Sequence, residues 1–178
     1  MSDLKSKVLL KEGFSREDAI FTYEALRLID VGVPTQQYKT RFMAKNLKHD
    51  KGMSNLEIFN KQITGWDRFN DKADYLLDFV LYKYKKKKGT YASTNMSNGI
   101  IVINSIYFNW CKSRRNGSIN LARTLWHEYQ HSQLGFKHPW FPRSWYRKSV
   151  PHQSGNTLGE VLDLHVLRGH DLTRLPNL

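Results

Sequence analysis

The chain has 178 residues, of which 40% are hydrophobic, 13% aromatic and 25% charged; this is globular usage and excludes a disordered polyelectrolyte or a low-complexity linker. Lys and Arg number 28 against 16 Asp and Glu, a formal net charge of +12 that favours a nucleic acid or another acidic partner without identifying one. Cys111 is the single cysteine, which excludes an intrachain disulfide scaffold and a thiolate zinc cage.

The length suits one domain over residues 1–178. MSDLKSKVLLKEGF lacks the uninterrupted apolar run of a signal peptide, and no stretch approaches the roughly 18 apolar residues that span a bilayer. The expectation is a cytoplasmic protein with no membrane association.

Ser15, with Asp18 three residues on, predicts a helix start, and Ile20, Tyr23, Leu26 and Ile29 carry the helical period to Val31. Gly32 and Pro34 end it. Further helical patterns cover residues 35–47, 54–63 and 70–84, the last from the wide apolar stripe of Tyr75, Leu76, Phe79, Val80, Leu81 and Tyr82. The lysines of YKYKKKK, residues 82–88, read as partners of that helix's C-terminal dipole in preference to a nucleic-acid patch. GTYAST and GIIVINSIYF, separated by NMSNG, predict a short antiparallel strand pair, with CKSRRNG as a basic loop after it.

Ser118 is placed to cap the next helix, SINLARTLWHEYQHSQLG, with Gly135 as the left-handed residue past its end. Residues 139–155 hold three prolines and read as a long irregular loop, which in a compact domain is more often functional than idle. A last helix covers about residues 156–168. The expected fold class is α+β, with a mainly helical N-terminal half and a small antiparallel or mixed sheet packed on the helix that carries WHEYQH.

His127 and His131 stand four residues apart, so a helix projects both rings from one face, close enough to share one ion, and Glu128 sits beside the first. Neutral imidazoles leave Zn²⁺ much of its charge, so a bound water becomes a nucleophile near neutral pH, with Glu128 available as its proton acceptor. This arrangement resembles the HExxH signature of the zincin metallopeptidases. The resemblance implies a peptide or protein substrate, Zn²⁺ as cofactor, His127 and His131 as ligands and Glu128 as general base.

A catalytic site needs a third protein ligand. His138, just past Gly135, is similar to the third histidine of the metzincin pattern HExxHxxGxxH, although Gly and His each lie one residue late and no Met-turn follows. Glu160, in TLGEVLDLH, resembles the gluzincin ligand on a following helix, with Asp163 three residues on where that group has an aspartate at four. His138 is preferred, because a GFxH turn so soon after the motif has few other reasons to exist, whereas a Glu on a helix face is commonplace. Zincins also present an edge strand to the substrate, a place IIVINSIYF is expected to fill or else to be an ordinary core strand.

His152 is a candidate catalytic residue, a hydrogen-bond donor to the oxyanion, and Tyr146 a second; packing is the plain alternative for each. His165 and Asp163 are candidate partners that fix an imidazole's tautomer. His49 and His170 read as surface residues, and Trp126, Trp140 and Trp145 as packing. Two other functions stand beside the peptidase. One is a zinc peptidase acting on DNA-bound proteins, which the charge and GFKHPWF loosely resemble. The other is a non-enzymatic basic binding module whose structural metal is closed by His127, His131, His138 and Glu160 together.

Overall fold

The computed structural model describes residues 4–48, 51–85, 89–139 and 143–167. In chain order these form β1 (Lys5–Leu10), α1 (Arg16–Gly32), α2 (Gln36–Met43), α3 (Asn55–Ile63), β2 (Trp66–Asp67), β3 (Lys72–Ala73), β4 (Leu76–Tyr84), β5 (Ala92–Asn95), β6 (Ile100–Asn104), α4 (Ser105–Lys112), α5 (Gly117–Ser132), α6 (Arg143–Tyr146) and α7 (Val150–Leu167). The class is α+β. The main sheet is mixed, in the order β1-β4-β6-β5, with β1, β4 and β6 parallel and β5 antiparallel to β6.

Helices α1 and α3 begin where their sequence signals fall. Ser15 and Ser54 each accept from the backbone three residues on, while Asp18 and Glu57 reach back to the cap, satisfying two otherwise orphan donors at each helix start. Asp18 does more. Its carboxylate also takes Lys83 of β4 and, at 2.7 Å, Lys112 of α4. Burial alone would raise its pKa, but these two ammonium groups outweigh that and hold the carboxyl well below the usual range.

The expectation for residues 70–84 is corrected: they form the β2–β3 hairpin's second strand and then β4, not a helix. Leu77, Phe79 and Leu81 are buried while their neighbours are only partly so, a period of two. Its other face carries Leu76, Val80, Tyr82 and Tyr84 around Asp78, so apolar residues occur on both faces and satisfy the helical template equally. The N-terminal half therefore holds three helices but also two of the four main strands. Of the lysines at 82–88, Lys83 and Lys85 end or follow β4, so no helix dipole is there to receive them; residues 86–88 lie outside the described residues, as do His49, Trp140 and His170.

The antiparallel pair is present, but its second strand stops at Asn104, whose side chain accepts from Ile106 N and starts α4. SIYF is thus helical. Strand β6 is interior, paired with β4 and β5, so IIVIN is not an edge; β5 is. The segment 139–155 is also shorter of irregular structure than expected: α6 lies inside it and α7 begins at Val150, with Pro151 in the first turn, where its missing N–H is no loss.

Helix α5 is central. Trp126, Tyr129, Leu125 and Leu121 are fully buried in the core, each such side chain contributing about 1.5–3 kcal/mol. The Tyr129 ring meets Phe79 of β4 at 5.3 Å, which seats the helix against the sheet. Behind it runs a buried polar network. Trp126 Nε1 donates to the Tyr38 hydroxyl (2.9 Å), which donates to Gln62 Oε1 (3.1 Å), and Gln62 Nε2 donates to Gln130 and Ser154 (2.8 Å each). Four helices, α2, α3, α5 and α7, are thereby fixed in register around the face that carries the histidines.

Among the described residues, no helix is long and apolar enough to cross a membrane.

Candidate metal centre

His127 and His131 lie one turn apart on α5, and the chain then doubles back to bring His138 against them. The reversal depends on Gly135, which has φ of +69°, in the left-handed region that a side chain disfavours. Arg68 and Lys51 pin the turn: Arg68 Nε donates to Ser132 O (2.8 Å), Arg68 N to Gln133 O (3.1 Å) and Lys51 Nζ to Leu134 O (3.1 Å). These are carbonyls that a helix end leaves unpaired, and cations suit them. Phe136 is buried in the core, and its N–H returns to Gln130 O at 2.9 Å.

The three Nε2 atoms form a triangle. His127 to His131 is 3.3 Å, His127 to His138 is 3.2 Å and His131 to His138 is 3.1 Å. Tetrahedral Zn²⁺ with N at about 2.0–2.1 Å requires an N···N edge of roughly 3.3 Å. Among the described residues this is the group of His, Cys, Asp and Glu side chains that can hold a metal ion.

The opposite ring nitrogens fix where the protons are. His131 Nδ1 lies 2.5 Å from Phe136 O, and a carbonyl only accepts, so Nδ1 carries the proton. Ser149 Oγ donates its single proton to Tyr146 O (2.7 Å), so the His138 Nδ1 at 2.8 Å donates to Ser149. Nε2 of both rings is therefore a bare lone pair. His127 can donate to at most one of them, which leaves lone pairs facing each other within 3.3 Å unless a cation lies between them. Burial first, and the neighbouring imidazoles after it, push His127 down to about 2 and His138 to about 3, and burial lowers His131. All three stay neutral at physiological pH, the form in which imidazole is a ligand.

Glu128 is 6% exposed, and its Oε2 accepts from Thr94 Oγ1 of β5 at 2.6 Å. The edge strand thus touches the carboxylate directly. His152 lies on α7, not in a loop, with its ring centroid 4.9 Å from His127, 5.0 Å from His138 and 4.5 Å from Tyr146. Its Nε2 is buried and has no hydrogen-bond partner among the described residues. The Tyr146 ring packs against His138 at 4.1 Å, tilted by 37°.

Other candidates fall elsewhere. Glu160 is 42% exposed in its side chain and is paired with Arg41 of α2 (3.2 Å) and Lys45 just after it (3.3 Å), away from the triad. A closed site with Glu160 as fourth ligand is therefore not formed. Asp163 is exposed, and for His131 and His138 the imidazole-orienting partners are Phe136 O and Ser149. Those two, with Thr94, had no sequence signal, since each acts through a backbone atom or across a tertiary contact.

Gly155 of α7 allows the two helices to meet here: a Cβ on it would lie 2.8 Å from Arg123 O and 3.3 Å from His127 Cβ.

No family model, no curated protein and no solved structure matches the chain.

Proposed function

We propose that this chain is a zinc-dependent metallopeptidase of the zincin type. The observation that carries the proposal is the triangle of neutral Nε2 atoms with Glu128 one residue away. Three protein ligands with a carboxylate close by, but outside the ligand set, is the pattern of catalytic zinc sites; structural sites are closed by four.

His127, His131 and His138 would hold the ion. When bound, Zn²⁺ supplies a Lewis acid for the scissile carbonyl and lowers the pKa of water. Glu128 accepts the proton of the attacking water and passes it to the leaving amine, its carboxylate held in one rotamer by Thr94. Strand β5 is at the sheet edge beside Glu128, where an extended peptide would lie alongside it. The unpartnered Nε2 of His152 is available to a developing oxyanion, as is the Tyr146 hydroxyl.

Elemental analysis of the purified protein, combined with Glu128→Gln, tests the reading. The expected result is one Zn²⁺ per chain in both proteins and a fall of about 10²–10⁴-fold in cleavage of an unfolded protein substrate for the variant. Absence of zinc after purification and reloading, or cleavage undiminished in Glu128→Gln, overturns it.

A further inference from the structure

The net charge is unevenly placed. Between Asp78 and Glu128 the chain contains no Asp or Glu and nine Lys and Arg, so this stretch carries most of the formal +12. The metal centre uses none of those cations.

The same stretch builds an aromatic rim where the lead-in to β5 meets α4. Tyr91 lies flat on Tyr107, with centroids 4.5 Å apart and planes 24° apart, and Tyr107 on Trp110 at 5.9 Å and 21°. The middle ring is anchored: the Tyr107 hydroxyl bonds Asn120 O at 3.0 Å and Thr124 Oγ1 at 2.8 Å. The outer rings are open, Tyr91 being 62% and Trp110 43% exposed. Beside them is a cavity of about 290 Å³, completed by Thr90, Asn104 and Ile106. The Arg114 guanidinium lies over the Trp110 ring at 5.3 Å, with Arg115 exposed next to it.

Near-parallel exposed rings favour a flat partner, and the exposed guanidinium groups of Arg114 and Arg115 beside them favour a polyanion. A ligand that is both planar and polyanionic is a single-stranded nucleic acid, whose bases are free to stack while its phosphates follow the cations. A duplex hides its base faces. An aliphatic peptide would fill the cavity but would leave the charge unanswered. We infer that this rim binds single-stranded nucleic acid, seating one base against Tyr91, Tyr107 and Trp110 with the adjoining phosphates on Arg114 and Arg115.

The test is fluorescence anisotropy with labelled oligo(dT) and oligo(U) of equal length, a duplex of equal length and an acidic tyrosine-containing peptide, each at low and moderate salt. Both single strands are expected to bind, more weakly as salt rises. Tyr91→Ala and Trp110→Ala should each weaken binding about tenfold, and Trp110→Phe should retain most of it. Arg114→Ala should reduce the salt slope by about one. Circular dichroism checks that the variants are folded, and both substituted rings lie at the surface. A preference for oligo(U) identifies RNA as the natural strand and a preference for oligo(dT) identifies DNA. Absence of binding at low salt, equal binding of the duplex, indifference to both alanine variants, or preference for the peptide overturns the inference. The readout needs neither a bound metal nor cleavage, so this inference and the peptidase reading fail separately.

Discussion

Strand β5 and its lead-in join two regions that treat side chains in opposite ways. At Thr94 the strand holds a nearly buried glutamate by a 2.6 Å hydrogen bond, beside three imidazoles, two of which have their protons fixed by a carbonyl and a hydroxyl. Three residues earlier, Tyr91 turns an aromatic face outward. For His131, His138 and Glu128 the orientation is determined by a partner, as placing a reactive group requires. At the aromatic rim only the middle ring is tied down, and recognition would come from faces left uncovered. Within one short segment, precision and accessibility are kept apart.

The sharpest way to break this contrast is His131→Ala. It removes one corner of the triangle, and zinc content should fall to background, with loss of the thermal stabilisation that added Zn²⁺ gives the wild type; retained stoichiometric zinc would show the triangle is not the site. Next comes Ser149→Ala, which removes the acceptor for His138 Nδ1. Competition with a chromophoric chelator should show zinc affinity lowered about 10–100-fold, with Ser149→Thr close to wild type. Unchanged affinity would sink the tautomer assignment.

Gly155→Ala tests the rigid side through packing, since its Cβ would press on Arg123 O and force α7 away from His127. Denaturant unfolding should register a loss of about 2–3 kcal/mol. Tyr38→Phe strands the Trp126 N–H and the Gln62 carbonyl inside the network, and the expected loss is about 1–2 kcal/mol in the same assay. On the open side, Tyr91→Ala should change stability by no more than about 0.5 kcal/mol. A larger loss there would mean that the rim is part of the core and the contrast is false.

Local signals in the sequence were legible where the competing interactions are local. Ser15 with Asp18 and Ser54 with Glu57 name their own helix starts, and the four-residue spacing of His127 and His131 names the shared helix face on which they meet. Strand β4 was not legible, because Leu76, Val80 and Tyr82 make its second face largely apolar too and blur the alternation. Helix α4 was hidden by Ile106, Tyr107 and Phe108, β-branched and aromatic residues that continue the preceding strand's composition; the signal against them was Asn104, a good N-cap. Pro151 suggested a loop yet sits in a helix's first turn. At the centre, choosing His138 over Glu160 rested on one glycine turn, and the geometry brings His138 in while leaving Glu160 on Arg41 and Lys45. Thr94 and Phe136 O could not be foreseen, since nothing local relates them to the histidines they touch.

Ser149 belongs to two structures at once. Its hydroxyl receives His138, and its carbonyl accepts the Gln153 N–H at 3.0 Å, the first backbone bond of α7. Whatever free energy an ion contributes by holding His138 in place is therefore shared with the start of the last helix, and ordering that helix returns the same increment to ion affinity. Through the pairing of Glu160 with Arg41 and Lys45 the coupling reaches α2. Hydrogen exchange would read it directly: stripping the ion should accelerate exchange at Gln153 and its neighbours well before the central sheet responds, making the last helix a reporter of occupancy.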